Sequence, residues 1–233
     1  MEINLDAVLL ELSKSRPIFH GESDFQFSLA WKIKSMSPEI EVRLEVPFLG
    51  IDQRRIRLDI LCKDQNGTSY GIELKYFTRK LVTQCGDESF KLRDRGAIDH
   101  QCFDSIKDIQ RLEGLVDSDK ISVGYTVWLT NDKSIWERSW ERSKKSAFYE
   151  QFRLFEGREI KGRMDWGEGT SLGTKKGRNY SLSLIGTYKI AWYDYSNMDK
   201  CFKSGYNGND LFRYSLTRIS NNRKNGIFQF IDS

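Results

Sequence analysis

Three consecutive segments of the chain read as β-strands, and the turn between the last two constrains how they pair. The segments span residues 39–48, 55–63 and 69–77. The connection between the second and the third contains Asn66-Gly67, a dipeptide typical of tight hairpin turns. We therefore expect the second and third segments to form a hairpin.

Helical periodicity flanks these segments on both sides. Helices are predicted over residues 3–15 and 22–36 before the strands, and over residues 97–113 after them. A near-continuous apolar run at 121–130 indicates a strand covered on both faces. The spacing of tryptophans and other apolar residues predicts one more helix over 133–152. This order of elements predicts a mixed α/β core.

The last third of the chain differs from the rest in amino-acid composition and net charge. Gly and aromatic strand-like segments become frequent there, and residues 173–179 read as a basic, flexible loop. Residues 151–233 contain 14 Lys and Arg against 8 Asp and Glu, a net charge of +6, whereas the rest of the chain carries −2. We predict a core over 1–150 and a β-rich, basic C-terminal extension over 151–233 packed on it. The charge favours a polyanion partner, and ordinary solubilising charge explains it equally well.

Composition excludes several other classes of protein. A hydrophobic content of 39% is sufficient for a packed core and argues against wholesale disorder. No apolar run approaches the roughly 20 residues that a membrane span needs, and no signal-peptide pattern opens the chain. The four cysteines are scattered and only two histidines are present, which argues against structural zinc and favours a reducing compartment. We expect a cytoplasmic protein that does not enter a membrane.

Two opposite charges interrupt the third strand, in the stretch YGIELKYF at residues 70–77. Glu73 and Lys75 are two residues apart and therefore share one face of the strand. Asp59 occupies the middle of the preceding strand, and the predicted hairpin places it near Glu73. Burying such charges without a function costs several kcal/mol. Carboxylates that hold a divalent cation would explain them, whereas a surface cross-strand salt bridge is the structural alternative.

The same residues resemble a known signature. Asp59, followed after thirteen residues by Glu73-Leu74-Lys75, resembles the PD-(D/E)xK nuclease superfamily, which includes restriction endonucleases and recombination nucleases. The resemblance implies a restriction-endonuclease-like core, with a mixed central sheet flanked by helices. It also implies that Asp59, Glu73 and the Leu74 carbonyl ligate Mg²⁺, with Mn²⁺ as an expected substitute, and that Lys75 serves the attacking water. Leu58 stands where the signature has proline.

The helix before the strands offers a further carboxylate. Glu22 and Gln26 are one turn apart, and the same helical face continues with the apolar residues Leu29 and Ile33. If this face points inward, the polar residues at its N-terminal end can point at the metal site. The resemblance implies a catalytic role for Glu22, because several nuclease families of this type use such a residue. The alternative is an acid that simply stabilises the helix dipole. Glu45 reads as a solvated charge on the first strand, and Gln101 as an amide on a helix surface.

Basic residues on either side of the signature are candidates to bind the nucleic-acid backbone. They are Lys80, Lys91, Arg93, Arg95, Lys175, Lys176 and Arg178. The expected function is a metal-dependent nuclease, most specifically a DNA endonuclease of restriction or defence type. The alternative is a catalytically inactive nucleic-acid-binding or protein-interaction module on the same fold. Cleavage of both strands of DNA would favour a homodimer, since one site cuts one strand at a time.

Overall fold

The computed structural model describes most of the chain, with four internal gaps and both termini left out. The described residues are 3–49, 55–94, 96–138, 147–198 and 209–221. Cys201 and Arg95, the latter a predicted nucleic-acid ligand, lie outside them.

The described chain contains both helices and strands. The helices are α1 (Leu5–Ser15), α2 (Glu22–Met36), α3 (Ile98–Asp117), α4 (Lys133–Trp136) and α5 (Leu172–Lys175), with a 3₁₀ helix at Ala147–Phe152. The strands are β1 (Glu41–Leu49), β2 (Arg55–Lys63), β3 (Ser69–Phe77), β4 (Leu81–Cys85), β5 (Glu88–Leu92), β6 (Val123–Thr130), β7 (Glu159–Met164), β8 (Leu182–Lys189), β9 (Tyr193–Asn197) and β10 (Leu211–Ile219).

A mixed six-stranded sheet in the order β1-β2-β3-β6-β10-β9 forms the centre of the protein. Only β3 and β6 pair in parallel, and every other neighbouring pair in this sheet is antiparallel. The parallel pair requires a crossover, and α3 provides it. Two strands from the last third of the chain, β9 and β10, belong to this sheet, so residues after 150 complete it. The hairpins β4–β5 and β7–β8 form separate two-stranded sheets.

Helices cover both faces of the central sheet, as the sequence predicts. On one face α1 and α2 pack over alternate residues of β3, among them Leu74 and Tyr76, which share a buried cluster with Phe25. On the other face α3 packs over Phe77 and Trp128. The protein is therefore a mixed α/β fold whose two apolar layers sit on opposite sides of one sheet.

Two predicted stretches take a different form. The helix predicted over 133–152 ends at Trp136, because Glu137 has an extended backbone (φ −85°, ψ 134°). Residues 139–146 lie outside the described chain, and the 3₁₀ helix follows them. The charged stretch 78–96, which has no regular structure in the sequence-based prediction, contains the hairpin of β4 and β5.

The described residues carry no membrane-crossing helix, since none of their helices combines the necessary length and apolar character. The three described cysteines, Cys62, Cys85 and Cys102, are free thiols.

Candidate active site

The candidate site begins where β2 and β3 stop pairing. Their ladder runs from Lys63 opposite Ser69 to Ile60 opposite Ile72 and ends there. One step further, the backbone N–H of Leu74 donates to Asp59 Oδ2 at 2.7 Å. A side-chain carboxylate therefore occupies the position that a strand carbonyl would take in a continued ladder.

Asp59 reaches this position because the alternation of β2 breaks around it. Leu58 and Ile60 are two residues apart and should share a face, yet Leu58 packs in the cluster under α3 and Ile60 in the cluster under α1 and α2. Opposite Asp59 in β1, Glu45 has φ of 54°, a left-handed conformation that is uncommon outside glycine. This irregularity turns the Asp59 carboxylate towards β3.

Glu22 binds the same edge of β3. Its Oε2 accepts the backbone N–H of Tyr76 at 2.9 Å. Leu74 and Tyr76 direct their N–H groups to the same side of the strand, because they are two residues apart. The Leu74 carbonyl lies between these two positions and accepts a hydrogen bond from Lys75 Nζ at 3.0 Å. Two carboxylates from different elements thus flank one strand carbonyl that β2 does not pair.

Gln26 connects α2 to the irregular part of the sheet. Its Nε2 donates to the Asp59 carbonyl oxygen and to Glu45 Oε1, both at 2.8 Å. Glu45 is exposed on β1, as the sequence predicts, and its hydrogen bond with Gln26 places it at the rim of the site. Because Glu22 is one turn earlier on the same helix, this contact also sets the position of Glu22 against β3.

Glu73 and Lys75 face α3, where two charged residues meet them. Lys75 Nζ lies 2.6 Å from Asp108 Oδ2, and Arg111 Nη2 lies 3.1 Å from Glu73 Oε1. Arg111 also pairs with Asp108 at 2.8 Å and donates to the Arg57 carbonyl at 2.7 Å. Glu73 and Asp108 are only 2% and 3% exposed, so this is a buried four-residue ion network.

The environment shifts the pKa values of Glu73, Asp59 and Lys75. Burial raises the pKa of Glu73 well above its usual value, the Asp108 charge adds to the rise, and Arg111 opposes it. Burial also raises the pKa of Asp59, against the lowering effect of the Leu74 N–H. Burial alone would lower the pKa of Lys75, but its ion pair with Asp108 more than compensates, and the pKa of Lys75 is raised. Lys75 is therefore an ammonium.

Asp108 and Arg111 are absent from the sequence-based predictions. Asp108 lies three residues after Ser105 and four before Leu112, both on the buried stripe of α3. An acid at that spacing belongs to the buried face, and this was the signal that could have identified it. Gln101, on the same stripe, donates from Nε2 to the Gly96 carbonyl at 3.2 Å.

The oxygen donors that could hold a metal come from two neighbouring strands, β2 and β3. No group of three or more His, Cys, Asp or Glu side chains in the described ranges is arranged to hold a metal ion. Two carboxylates and a carbonyl are nevertheless in reach of one another. Asp59 accepts the backbone N–H of Leu74, and Glu73 is the residue before Leu74 in β3. Mg²⁺ prefers such oxygen ligands and usually keeps several waters, so this smaller donor set suits it.

The predicted nucleic-acid ligands divide into two groups. Lys80, Lys91 and Arg93 are exposed and form no ion pair with another residue in the described part of the chain. Lys91 and Arg93 line a cavity of about 170 Å³ together with His20, Gly21, Tyr76, Thr78 and Leu92. Tyr76 is also the partner of Glu22, so these two cations lie directly beside the site.

The second group is carried by a segment that contacts α3. Arg178 is bound to Asp104 of that helix at 2.9 and 2.5 Å, and the Thr174 carbonyl contacts His100 Nε2 at 2.7 Å. The segment 173–179 is thus held against α3, which corrects the prediction of a flexible loop. Lys175 and Lys176 are carried by this segment, at the end of α5.

Comparison of the chain with family models, with curated proteins and with solved structures found no match. The function is therefore inferred from the chemistry of the site.

Proposed function

We propose that the protein is a metal-dependent phosphodiesterase that acts on nucleic acid, most specifically a DNA endonuclease of restriction or defence type with a restriction-endonuclease-like core. The observation that carries the proposal is the pair of carboxylates beside the part of β3 that β2 does not pair. Asp59 and Glu22 bind the N–H groups on either side of the Leu74 carbonyl.

The metal would be held by Asp59, Glu73 and the Leu74 carbonyl. Bound there, Mg²⁺ supplies a Lewis acid for the phosphoryl oxygen and lowers the pKa of a bound water. Glu73 now pairs with Arg111 at 3.1 Å, so binding of the cation competes with that guanidinium. Raised pKa values of Glu73 and Asp59 mean that protons compete as well.

Lys75 would act as a donor rather than as a base. Its raised pKa keeps the amine protonated, and the ion pair with Asp108 together with the Leu74 carbonyl holds the ammonium at the edge of the site. A fixed ammonium stabilises negative charge that develops on phosphate oxygens and can orient the attacking water. Asp108 is in this scheme the residue that positions Lys75.

Glu22 would complete the site from the side of α2. Its carboxylate is half-buried and bound through Oε2 to Tyr76, and Gln26 fixes the helix one turn further on. A carboxylate at this position can accept a proton from a water held beside the metal. This gives it a role that a first-turn acid in the helix dipole would not have.

The unpaired cations beside the site would bind the substrate backbone. Lys91 and Arg93 face the cavity next to Tyr76, and Lys80 lies at the start of the same hairpin. Charges without an internal partner are the ones that gain most from a phosphate, because no existing ion pair has to be broken. A homodimer would supply two such sites for cleavage of both strands.

Cleavage of supercoiled plasmid DNA by the purified protein tests this function. Nicked or linear product is expected in Mg²⁺ or Mn²⁺ and none in EDTA, and Asp59→Asn should lose both cleavage and Mn²⁺ binding in calorimetry. Asp87→Asn, an exposed acid in the β4–β5 turn, is the matched control and should behave as wild type. Binding of DNA without cleavage in either metal would favour the inactive binding module instead.

A further inference from the structure

A block of buried polar side chains occupies the face of the sheet beneath α3. The block has two rows that run across β3, β6 and β10. In the first row Glu73 is the direct partner of Thr126, and Thr126 of Thr217. In the second row Lys75 is the partner of Trp128, and Trp128 of Ser215.

Most atoms of this block have no hydrogen-bond partner among the described residues. Eight buried side-chain atoms in the described ranges lack one, and seven of them belong to the block or to the α3 residues that cover it. These seven are Glu73 Oε1, Thr126 Oγ1, Thr217 Oγ1, Trp128 Nε1, Ser215 Oγ, Asp108 Oδ2 and Arg111 Nε. Glu73, Asp108 and Arg111 are engaged in the ion pairs described above, so the atoms of the block without any partner among the described residues are those of Thr126, Thr217, Trp128 and Ser215.

The concentration of these atoms in one layer is unusual, because native proteins leave few buried polar groups unsatisfied. Thr126, Ser215 and Thr217 are 0%, 1% and 6% exposed, so bulk solvent does not reach them freely. Each also has a small side chain, at positions where a buried sheet face normally carries larger apolar residues.

The spacing of the rows suits a bridging water. Direct partners on one face of a sheet have Cβ atoms about 5 Å apart. A water that hydrogen-bonds to both of two groups spans roughly 5.5 Å, twice the usual donor–acceptor distance. Donors and acceptors are both present, since Glu73 Oε1 only accepts, Trp128 Nε1 only donates and the hydroxyls do either.

We propose that this block binds ordered water, which connects the Glu73 carboxylate to Thr126 and Thr217 and extends to Ser215 and Trp128. Buried waters of this kind make about three hydrogen bonds each and are costly to remove. The inference concerns the free protein and requires neither a metal nor nucleic acid. It can therefore be tested independently of the nuclease proposal.

Replacement of threonine by valine tests the proposal, because the shape is kept and the hydroxyl is lost. If water bridges these hydroxyls, Thr126→Val and Thr217→Val should each lower the melting temperature by about 2–4 °C, as expected for one lost hydrogen bond in a chain of this size. If the hydroxyls have no partner, removal of an unsatisfied group should leave the melting temperature unchanged or raise it, and that result would overturn the proposal.

Thr83→Val is the matched control. Thr83 Oγ1 is the eighth unsatisfied atom and lies on β4, outside the block. Its replacement should leave the melting temperature unchanged or raise it, and a fall as large as that of Thr126→Val would contradict the assignment of the loss to the block.

Oxygen-17 magnetic relaxation dispersion gives a second, direct measurement. The number of long-lived internal waters should be lower in Thr126→Val and in the milder Ser215→Ala than in the wild type. The Ser215→Ala variant keeps the test available if the threonine variants fold poorly. An unchanged number of long-lived waters in the folded variants would overturn the proposal.

Discussion

The backbone N–H of Leu74 donates to the carboxylate of Asp59 at 2.7 Å, immediately beyond the last paired residues of β2 and β3. A side chain thus replaces a strand carbonyl at the edge of a central strand. The replacement leaves the Leu74 carbonyl unpaired by β2 and places a carboxylate beside it. The candidate site is a consequence of this break in pairing, and the residues around it can be tested one by one.

Asp108 should stabilise the folded protein through Lys75. Asp108→Asn leaves a largely buried ammonium without its counter-charge, and breaking a buried ion pair in this way typically costs 3–5 kcal/mol. We expect a loss of about 3 kcal/mol in the free energy of unfolding, at the lower end because the Lys75 side chain is 20% exposed. Urea denaturation measures this loss. The double variant Lys75→Met with Asp108→Asn should recover part of it.

The surface pair of Glu159 and Lys161 provides the control for that experiment. Both side chains are more than half exposed, so Glu159→Gln should leave the unfolding free energy unchanged. A loss in Asp108→Asn no larger than the loss in Glu159→Gln would show that the ion network contributes nothing to stability.

The raised pKa of Glu73 predicts a pH-dependent penalty in the wild type. Burial disfavours the ionised carboxylate in the folded state, so stability that is present below the ordinary pKa of 4.5 is lost as the pH rises through the higher, folded-state pKa. Glu73→Gln cannot ionise and avoids this loss. The stability of Glu73→Gln relative to wild type should therefore be more favourable at pH 8 than at pH 4.5.

Urea denaturation at the two pH values, in EDTA, measures this difference. Glu39→Gln, at an exposed position just before β1, is the control and should show no such trend. A relative stability of Glu73→Gln that does not change with pH would mean that Glu73 is not the source of the penalty.

Glu22 should affect cleavage far more than stability. In Glu22→Gln the side-chain carbonyl can still accept the Tyr76 N–H, so the melting temperature should hardly change. Loss of the carboxylate should lower the cleavage rate by about 10²-fold or more, as for other positioned proton acceptors. Glu11→Gln on the exposed face of α1 serves as control. Normal cleavage by Glu22→Gln would restrict Glu22 to a structural role at the start of α2.

The cations beside the site should contribute to DNA binding and those paired with α3 should not. Neutralising Lys91 and Arg93 to Gln should weaken binding and reduce the slope of log K against log salt by about 0.9 for each lost phosphate contact on duplex DNA. Arg178→Gln should leave this slope unchanged, because Asp104 already compensates the arginine. Fluorescence anisotropy in EDTA measures both. Equal slopes for wild type and the double variant would show that the hairpin of β4 and β5 does not contact the DNA.

The regular elements near the site were predictable because their signals are local. Periodicity predicts 22–36 for α2, and the turn at Asn66-Gly67 predicts the hairpin of β2 and β3, which the structure confirms. The hairpin of β4 and β5 was not predicted, since each of its two strands is only five residues long. The helix predicted over 133–152 was wrong beyond Trp136, because Glu137 takes an extended backbone there.

The site was predictable only where its residues share neighbouring elements. Asp59, Glu73 and Lys75 stand on two strands joined by a short turn, so their approach follows from the hairpin. Asp108 and Arg111 come from a helix more than thirty residues later, and no local pattern shows which strand residues α3 will cover. The left-handed backbone of Glu45, which accompanies the turn of Asp59, likewise depends on pairing between strands rather than on sequence.

The central claim is that Lys75 assists hydrolysis while Asp59 and Glu73 hold the metal, and single-turnover plasmid cleavage in Mg²⁺ by Lys75→Ala tests it most directly. Folding of the variant is checked by circular dichroism, DNA binding is measured in Ca²⁺, and Lys63→Ala at the exposed end of β2 is the control. The account predicts that Lys75→Ala still binds DNA but cleaves about 10²–10⁴-fold more slowly than the wild type. A folded Lys75→Ala protein that cleaves at the wild-type rate would contradict it.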